Sequence, residues 1–131
     1  MEAYRPFFIA AEPHDAACLM ASAQAGRPIT IDSNLDTIMA GLRCAEPSAA
    51  AWPAIASGVD AFITVRDAAV LDVMQTMSNA PELERIVAGP SGACGVAALV
   101  EMANDERLEK LRSAARLDRS TRALVVITEG P

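Results

Sequence analysis

Apolar residues in this chain fall into short continuous runs and helically spaced sets, and the two patterns alternate from one end to the other. Residues 7–11 (FFIAA) are a continuous run closed by Glu12 and Pro13, which predicts a buried strand followed by a turn. A helix capped by Asp15 is expected to reach Ala25, with Gly26 ending it and Pro28 preventing its restart. Residues 29–31 suit a second short strand. Ile38, Met39 and Leu42, preceded by Asp36, fit a helix that reaches about Cys44 before Pro47. Ser48 is a candidate cap for a further helix containing Pro53. Residues 61–65 (AFITV) are β-branched and aromatic, and the apolar positions 69, 70, 73, 74 and 77 share one face of a helix over 66–77. After a turn at 78–81, a short helix is predicted over 82–86, and a glycine-rich stretch opens a longer one to about Ala103. Residues 106–116 read as an exposed amphipathic helix with Glu106 and Lys110 spaced for a weak ion pair, and residues 124–127 as a closing buried strand.

Strands alternating with helices imply an α/β fold: a mostly parallel sheet with helices on both faces. No repeat, low-complexity tract or long linker divides the 131 residues, so one domain over residues 1–131 is expected. Apolar residues make up 52% of the chain but aromatics only 4%, so the core must be packed from small side chains. The longest apolar runs are too short for a membrane span, and the start lacks the basic and apolar regions of a leader, which makes a cytoplasmic protein the expectation. A net charge of −6 with scattered basic residues argues against nucleic acid as a partner. Cys18, Cys44 and Cys94 are widely spaced among apolar residues and read as reduced core thiols.

Few residues suggest chemistry directly. GPSGACG (89–95) permits a sharp turn, close helix packing or an anion at a helix N-terminus, yet it matches neither the dinucleotide fingerprint nor the lysine-containing phosphate loop. His14 and Cys18 are spaced like a metal-ligand pair, but no second pair follows, and no metal site is expected. Glu12, Asp32, Asp36 and Glu46 do not converge by spacing, and Glu129 reads as a solvated charge at a strand end. No residue is assigned as catalytic.

Three blocks, DTIMAGLRCAEPS (36–48), GPSGACG and VVITEG (125–130), carry a family resemblance. Across about residues 7–130 the chain resembles the C-terminal part of diaminopropionate ammonia-lyase, one of the pyridoxal-phosphate enzymes of the threonine dehydratase and tryptophan synthase β-type fold. The fold class implied is a fragment of this type II pyridoxal-phosphate enzyme fold. The resemblance places Gly41 where backbone approaches the cofactor or substrate, Ser91 and Gly92 beside the cofactor ring, and Thr128 at the pyridine nitrogen. The chain departs from the family at Pro90, where an acidic residue is typical.

The family's Schiff-base lysine and phosphate loop lie upstream of the matching region. Lys110 is the only lysine present and sits in a charged helical stretch, DERLEKLRSAAR, so it reads as structural. The resemblance thus implies a truncated or split ammonia-lyase-like domain, with pyridoxal phosphate bound weakly or not at all and no turnover alone. The full family converts diaminopropionate to pyruvate and ammonia. The alternative is a non-catalytic oligomerising or small-molecule-binding module derived from the same fold. Either a homo-oligomer or a separate N-terminal lyase chain is the expected partner, since apolar surface left by a missing neighbour favours association.

Overall fold

The computed structural model describes residues 5–130. The first four residues of the N-terminal stretch read for a leader, and Pro131, lie outside them. Two strands, β1 (Ile9–Pro13) and β2 (Ala61–Val65), pair in parallel with Ile9 opposite Ala61 and Pro13 opposite Val65. Between them run α1 (Cys18–Ala25) and α2 (Trp52–Gly58). After β2 come α3 (Asp67–Ser78), α4 (Pro90–Asn104) and α5 (Glu109–Ala114).

β1 lies two residues later than the apolar run 7–11 suggests. Its ladder starts where β2 starts, because Phe8 is occupied with Asp60: the Phe8 N–H donates to Asp60 Oδ2 at 2.8 Å, and Asp60 N donates back to the Phe8 carbonyl. Arg5 pairs with the same carboxylate at 2.6 Å. At the other end, Thr64 and Val65 carry the pairing through Glu12 and Pro13.

Side-chain alternation places helices on both sheet faces. Ile63 and Val65, with Ile9 and Ala11 beside them, join a core made with Met39, Val70, Val73, Ala93, Cys94, Ala97, Ala98 and Met102. That core is the face covered by α3 and α4. Glu12 points the other way, and its buried carboxylate accepts the Leu19 N–H at 2.7 Å and the Met20 N–H at 2.9 Å. Glu12, rather than Asp15, therefore satisfies the first turn of α1. Burial raises the Glu12 carboxyl above its ordinary range, and the two backbone donors act against that rise. Gly26 ends α1 in the left-handed region, at φ 68°, as a C-terminal glycine is suited to do.

β2 has the expected bounds, and α3 and α4 lie within a residue or so of theirs. In α4, Ala93 and Ala97 are fully buried, and such small side chains let the helix sit close to its neighbours. Pro53 occupies the first turn of α2, where its missing N–H costs no hydrogen bond. Four local expectations differ from the structure. Residues 36–44 make only a 3₁₀ turn, Ala40–Leu42, because Asp67 takes the Thr37 hydroxyl and the Ile38 N–H while Arg43 Nε donates to the Thr37 carbonyl. Residues 29–31 contribute one backbone bond, Ile31 N to the Ala45 carbonyl, and no ladder among the described residues. Residues 82–86 form a turn with Leu83 fully exposed, since no apolar face there is covered. Within 106–116, a 3₁₀ turn at Glu106–Leu108 precedes α5, and Asp105 pairs with Arg107 at 2.7 Å where a Glu106–Lys110 pair was expected.

Residues 124–127 are the fourth strand-like run and are not part of a ladder among the described residues. They are half-buried at 125 and 127 and exposed at 124 and 126, the alternation of a strand lying on one surface. That surface is α4. No helix is long and apolar enough to cross a membrane among the described residues.

The thiols differ sharply in environment. Cys18 and Cys94 are buried and pushed up to about 11, chiefly by desolvation, whereas Cys44, expected in the core, is exposed beyond the 3₁₀ turn. At pH 8 a thiol titrating near 11 is only about one part in a thousand thiolate, and the thiolate is the reactive form. Alkylation of the folded chain should modify Cys44 first, with Cys18 and Cys94 reacting only on unfolding. Mass spectrometry of a timed iodoacetamide reaction would show this order, and rapid labelling of Cys94 would contradict the packing of α4.

Candidate functional site

The glycine-rich block and the C-terminal segment meet along α4. A Cβ on Gly95 would fall 2.9 Å from Val125 Cγ1, one on Gly92 would fall 2.6 Å from the Glu129 carbonyl oxygen, and one on Gly89 would fall 2.6 Å from the Glu129 side chain. Glycines at every third position thus form a seam on one helix face, and residues 125–129 descend it towards the start of α4. The same close approach explains why GPSGACG needs its glycines.

At the end of this seam the Glu129 carboxylate sits on the first turn of α4. Its Oε2 accepts the Ser91 N–H at 2.6 Å and the Gly92 N–H at 3.3 Å, and the Glu129 carbonyl accepts the Gly89 N–H at 3.1 Å. A helix start presents unpaired N–H groups and a partial positive charge, both of which favour a carboxylate. Glu129 is therefore half-buried and bonded, not the solvated charge its sequence position suggests. No local pattern around it announces this role, because its donors lie 37 and 38 positions away.

Ser91 links this arrangement to the third block. Its Oγ accepts the Gly41 N–H at 3.0 Å, and a Cβ on Gly41 would approach that oxygen to 3.2 Å. Gly41 lies in the 3₁₀ turn anchored by fully buried Met39 and by the Thr37–Asp67 bond of 2.6 Å. The turn, the start of α4 and the C-terminal segment consequently converge.

The four residues singled out by resemblance occupy unequal positions. Gly41 is exposed and Ser91 half-buried, and they touch. Gly92 is buried beneath the backbone of residue 129. Thr128 is exposed on the outer side of the segment, next in sequence to Glu129 and without a hydrogen bond to Gly41 or Ser91 among the described residues. Asp67, which braces the Gly41 turn, was not singled out by the sequence, although an acidic residue opening a helix is a recognisable signal.

Gly41 and Thr128 are exposed, and the Ser91 hydroxyl is engaged by the Gly41 N–H. The Ser91 and Gly92 N–H groups are taken by Glu129, so they are not free for a phosphate. Lys110 is exposed on α5, against the far end of α4, where Arg112 on the same helix donates to the Met102 carbonyl. The 15 residues of α4 put that end roughly 22 Å from the Ser91 end. Among the described residues, no three His, Cys, Asp or Glu side chains group as metal ligands.

A family model described as pyridoxal-phosphate dependent enzyme matches residues 2–129. The chain is 37% identical to the diaminopropionate ammonia-lyase of Salmonella typhimurium over 130 residues, which is 95% of this chain and 32% of that protein. It superposes on holo diaminopropionate ammonia lyase from Escherichia coli with a TM-score of 0.77 at 28% identity, covering 95% of this chain and 30% of that one. Maize serine racemase gives a TM-score of 0.65 at 33% identity, over 79% of this chain and 31% of the racemase. The chain thus spans about a third of the length of the relatives it matches, and its parallel strands with flanking helices are part of the type II pyridoxal-phosphate fold. With a family match running through nearly all of its residues, the chain belongs to the pyridoxal-phosphate dependent enzymes.

Proposed function

We propose that this chain supplies the ring-side wall of an ammonia-lyase-like pyridoxal-phosphate site and is not competent alone, as a truncated or split form of the lyase. The observation that carries the reading is the Gly41–Ser91 hydrogen bond, which joins two family-like blocks 50 positions apart at the start of α4. Pyridoxal phosphate, when bound, supplies an electron sink for reactions at the α-carbon of an amino acid. In this proposal Gly41 lets the ring approach the backbone, the Ser91 hydroxyl fixes the Gly41 turn, and Thr128 offers a neutral hydroxyl to the ring nitrogen. Gly92 acts through its missing side chain, which lets residues 125–129 close on α4. The phosphate anchor and the amine that holds the aldehyde belong to another part of the site, on a separate N-terminal lyase chain. The compartment proposed is the cytoplasm.

This reading expects the 131-residue chain mixed with pyridoxal phosphate to leave the absorption of the free aldehyde essentially unchanged and to release no pyruvate from diaminopropionate. Pyruvate release that survives Lys110→Ala would refute the requirement for an internal lysine. Release abolished by that change would refute the structural assignment of Lys110.

The second reading, a non-catalytic self-associating module, is favoured by a specific feature: Leu124 and Val126 are 92% and 70% exposed on the outward side of the C-terminal segment. It expects a two-fold homo-oligomer, and light scattering that reports a monomer at tens of micromolar would count against it.

A further inference from the structure

We propose that Glu129 is the positioning residue of the ring-side site: seated on the start of α4, it holds Thr128 in place and, through Ser91, sets the Gly41 turn. This role rests on the ring-side reading given above. Three separate pieces of chain have to be brought into register for that site: the Ala40–Leu42 turn, the first turn of α4, and residues 125–129. Ser91 belongs to both links between them. Its N–H is held by Glu129 Oε2 at 2.6 Å, and its Oγ holds the Gly41 N–H at 3.0 Å.

Among the described residues, the polar attachment of the C-terminal segment depends on this one residue. Beyond residue 121, the backbone bonds outside regular elements among the described residues include a single link to the rest of the fold, from Gly89 N to the Glu129 carbonyl. The side chain of Glu129 adds the bonds to Ser91 and Gly92. Elsewhere the segment is held by apolar contact of Val125 and Ile127 with Gly95 and Gly92. Van der Waals contact of that kind resists separation but tolerates sliding along the seam, whereas charge-assisted bonds at a helix start specify one position. Thr128 is adjacent to this fixed point, so a lost carboxylate frees the hydroxyl proposed to meet the ring nitrogen. Gly89 protects the arrangement, since a side chain there would occupy the carboxylate's place.

A simple helix cap and a positioning residue make different predictions. A cap affects stability alone. A positioning residue also alters the Gly41 amide, in a different block of the chain, and the affinity for a pyridine ring. The test uses the 131-residue chain with Glu129→Gln, which keeps the shape and one acceptor, and Glu129→Ala, which removes both. Amide hydrogen exchange is followed by NMR. The ring probe is pyridoxine, which carries neither the aldehyde nor the phosphate.

Losing a charge-assisted bond predicts about a tenfold faster exchange at Gly41 and about a tenfold weaker pyridoxine affinity in Glu129→Ala, with a smaller change of the same sign in Glu129→Gln. Protection in β1 and β2 should be retained. Unchanged Gly41 exchange, or wild-type pyridoxine affinity in both variants alongside a lowered melting temperature, would reduce Glu129 to a cap and overturn the proposal. If the wild-type chain does not bind pyridoxine, as weak or absent cofactor binding allows, the Gly41 amide decides alone, and unchanged exchange in Glu129→Ala overturns the positioning role. A failure of the inference alone is recognised by wild-type binding that ignores Glu129.

Discussion

Gly92→Ala is expected to unseat residues 125–129 from α4. The added methyl group would lie 2.6 Å from the Glu129 carbonyl oxygen and 3.0 Å from its nitrogen, both backbone atoms that no rotamer change can move aside. It would also meet Ile127 Cγ2 at 3.1 Å. Alanine ordinarily favours a helix over glycine, so a gain in local propensity is set against a steric clash. Overpacking costs about 1–3 kcal/mol, which exceeds that gain. The relief available is for the segment to lift, and with it goes the Glu129 carboxylate. Urea unfolding should show the loss in stability, and limited proteolysis should cut near residues 122–128 in the variant before the wild type. Unchanged stability and cleavage would mean that the seam is not closed in solution.

The second large effect is expected at Met39. This side chain is fully buried in the core and also fixes the turn that carries Gly41. Met39→Ala removes most of its volume and leaves a cavity facing Ile63, Val65 and α4. Substitutions of this kind cost about 2–5 kcal/mol, depending on how far the surroundings collapse. Met39→Leu, close in volume, should cost less than about 1.5 kcal/mol. A flexible turn would give the two variants similar stabilities. The packed turn seen here requires them to separate clearly in chemical denaturation.

Both effects arise where distant parts of the chain meet, which is also where the sequence was least informative. The glycine spacing of GPSGACG was visible, and so were the apolar run at 124–127 and the apolar positions 38, 39 and 42. Their mutual contact was not. Resemblance brought Gly41 and Ser91 to attention, and the structure places them in hydrogen-bond contact. It also buries Gly92 and leaves Thr128 exposed, a distinction that family likeness alone did not make.

What the sequence by itself determined are the elements whose reason lies within a few residues. β2 follows from a β-branched run, α3 from apolar positions on one helical face, and the end of α1 from Gly26. The tertiary structure decided the rest. Asp67 diverted residues 36–44 from a helix by taking donors and orienting the turn, Asp60 delayed the start of β1, and the start of α4 drew in Glu129. Periodicity reports which side of an element is to be buried, because that side is set by the local geometry of helix or strand. A hydrogen bond between residues tens of positions apart leaves no such period, and only the folded chain determines which carboxylate reaches which N–H.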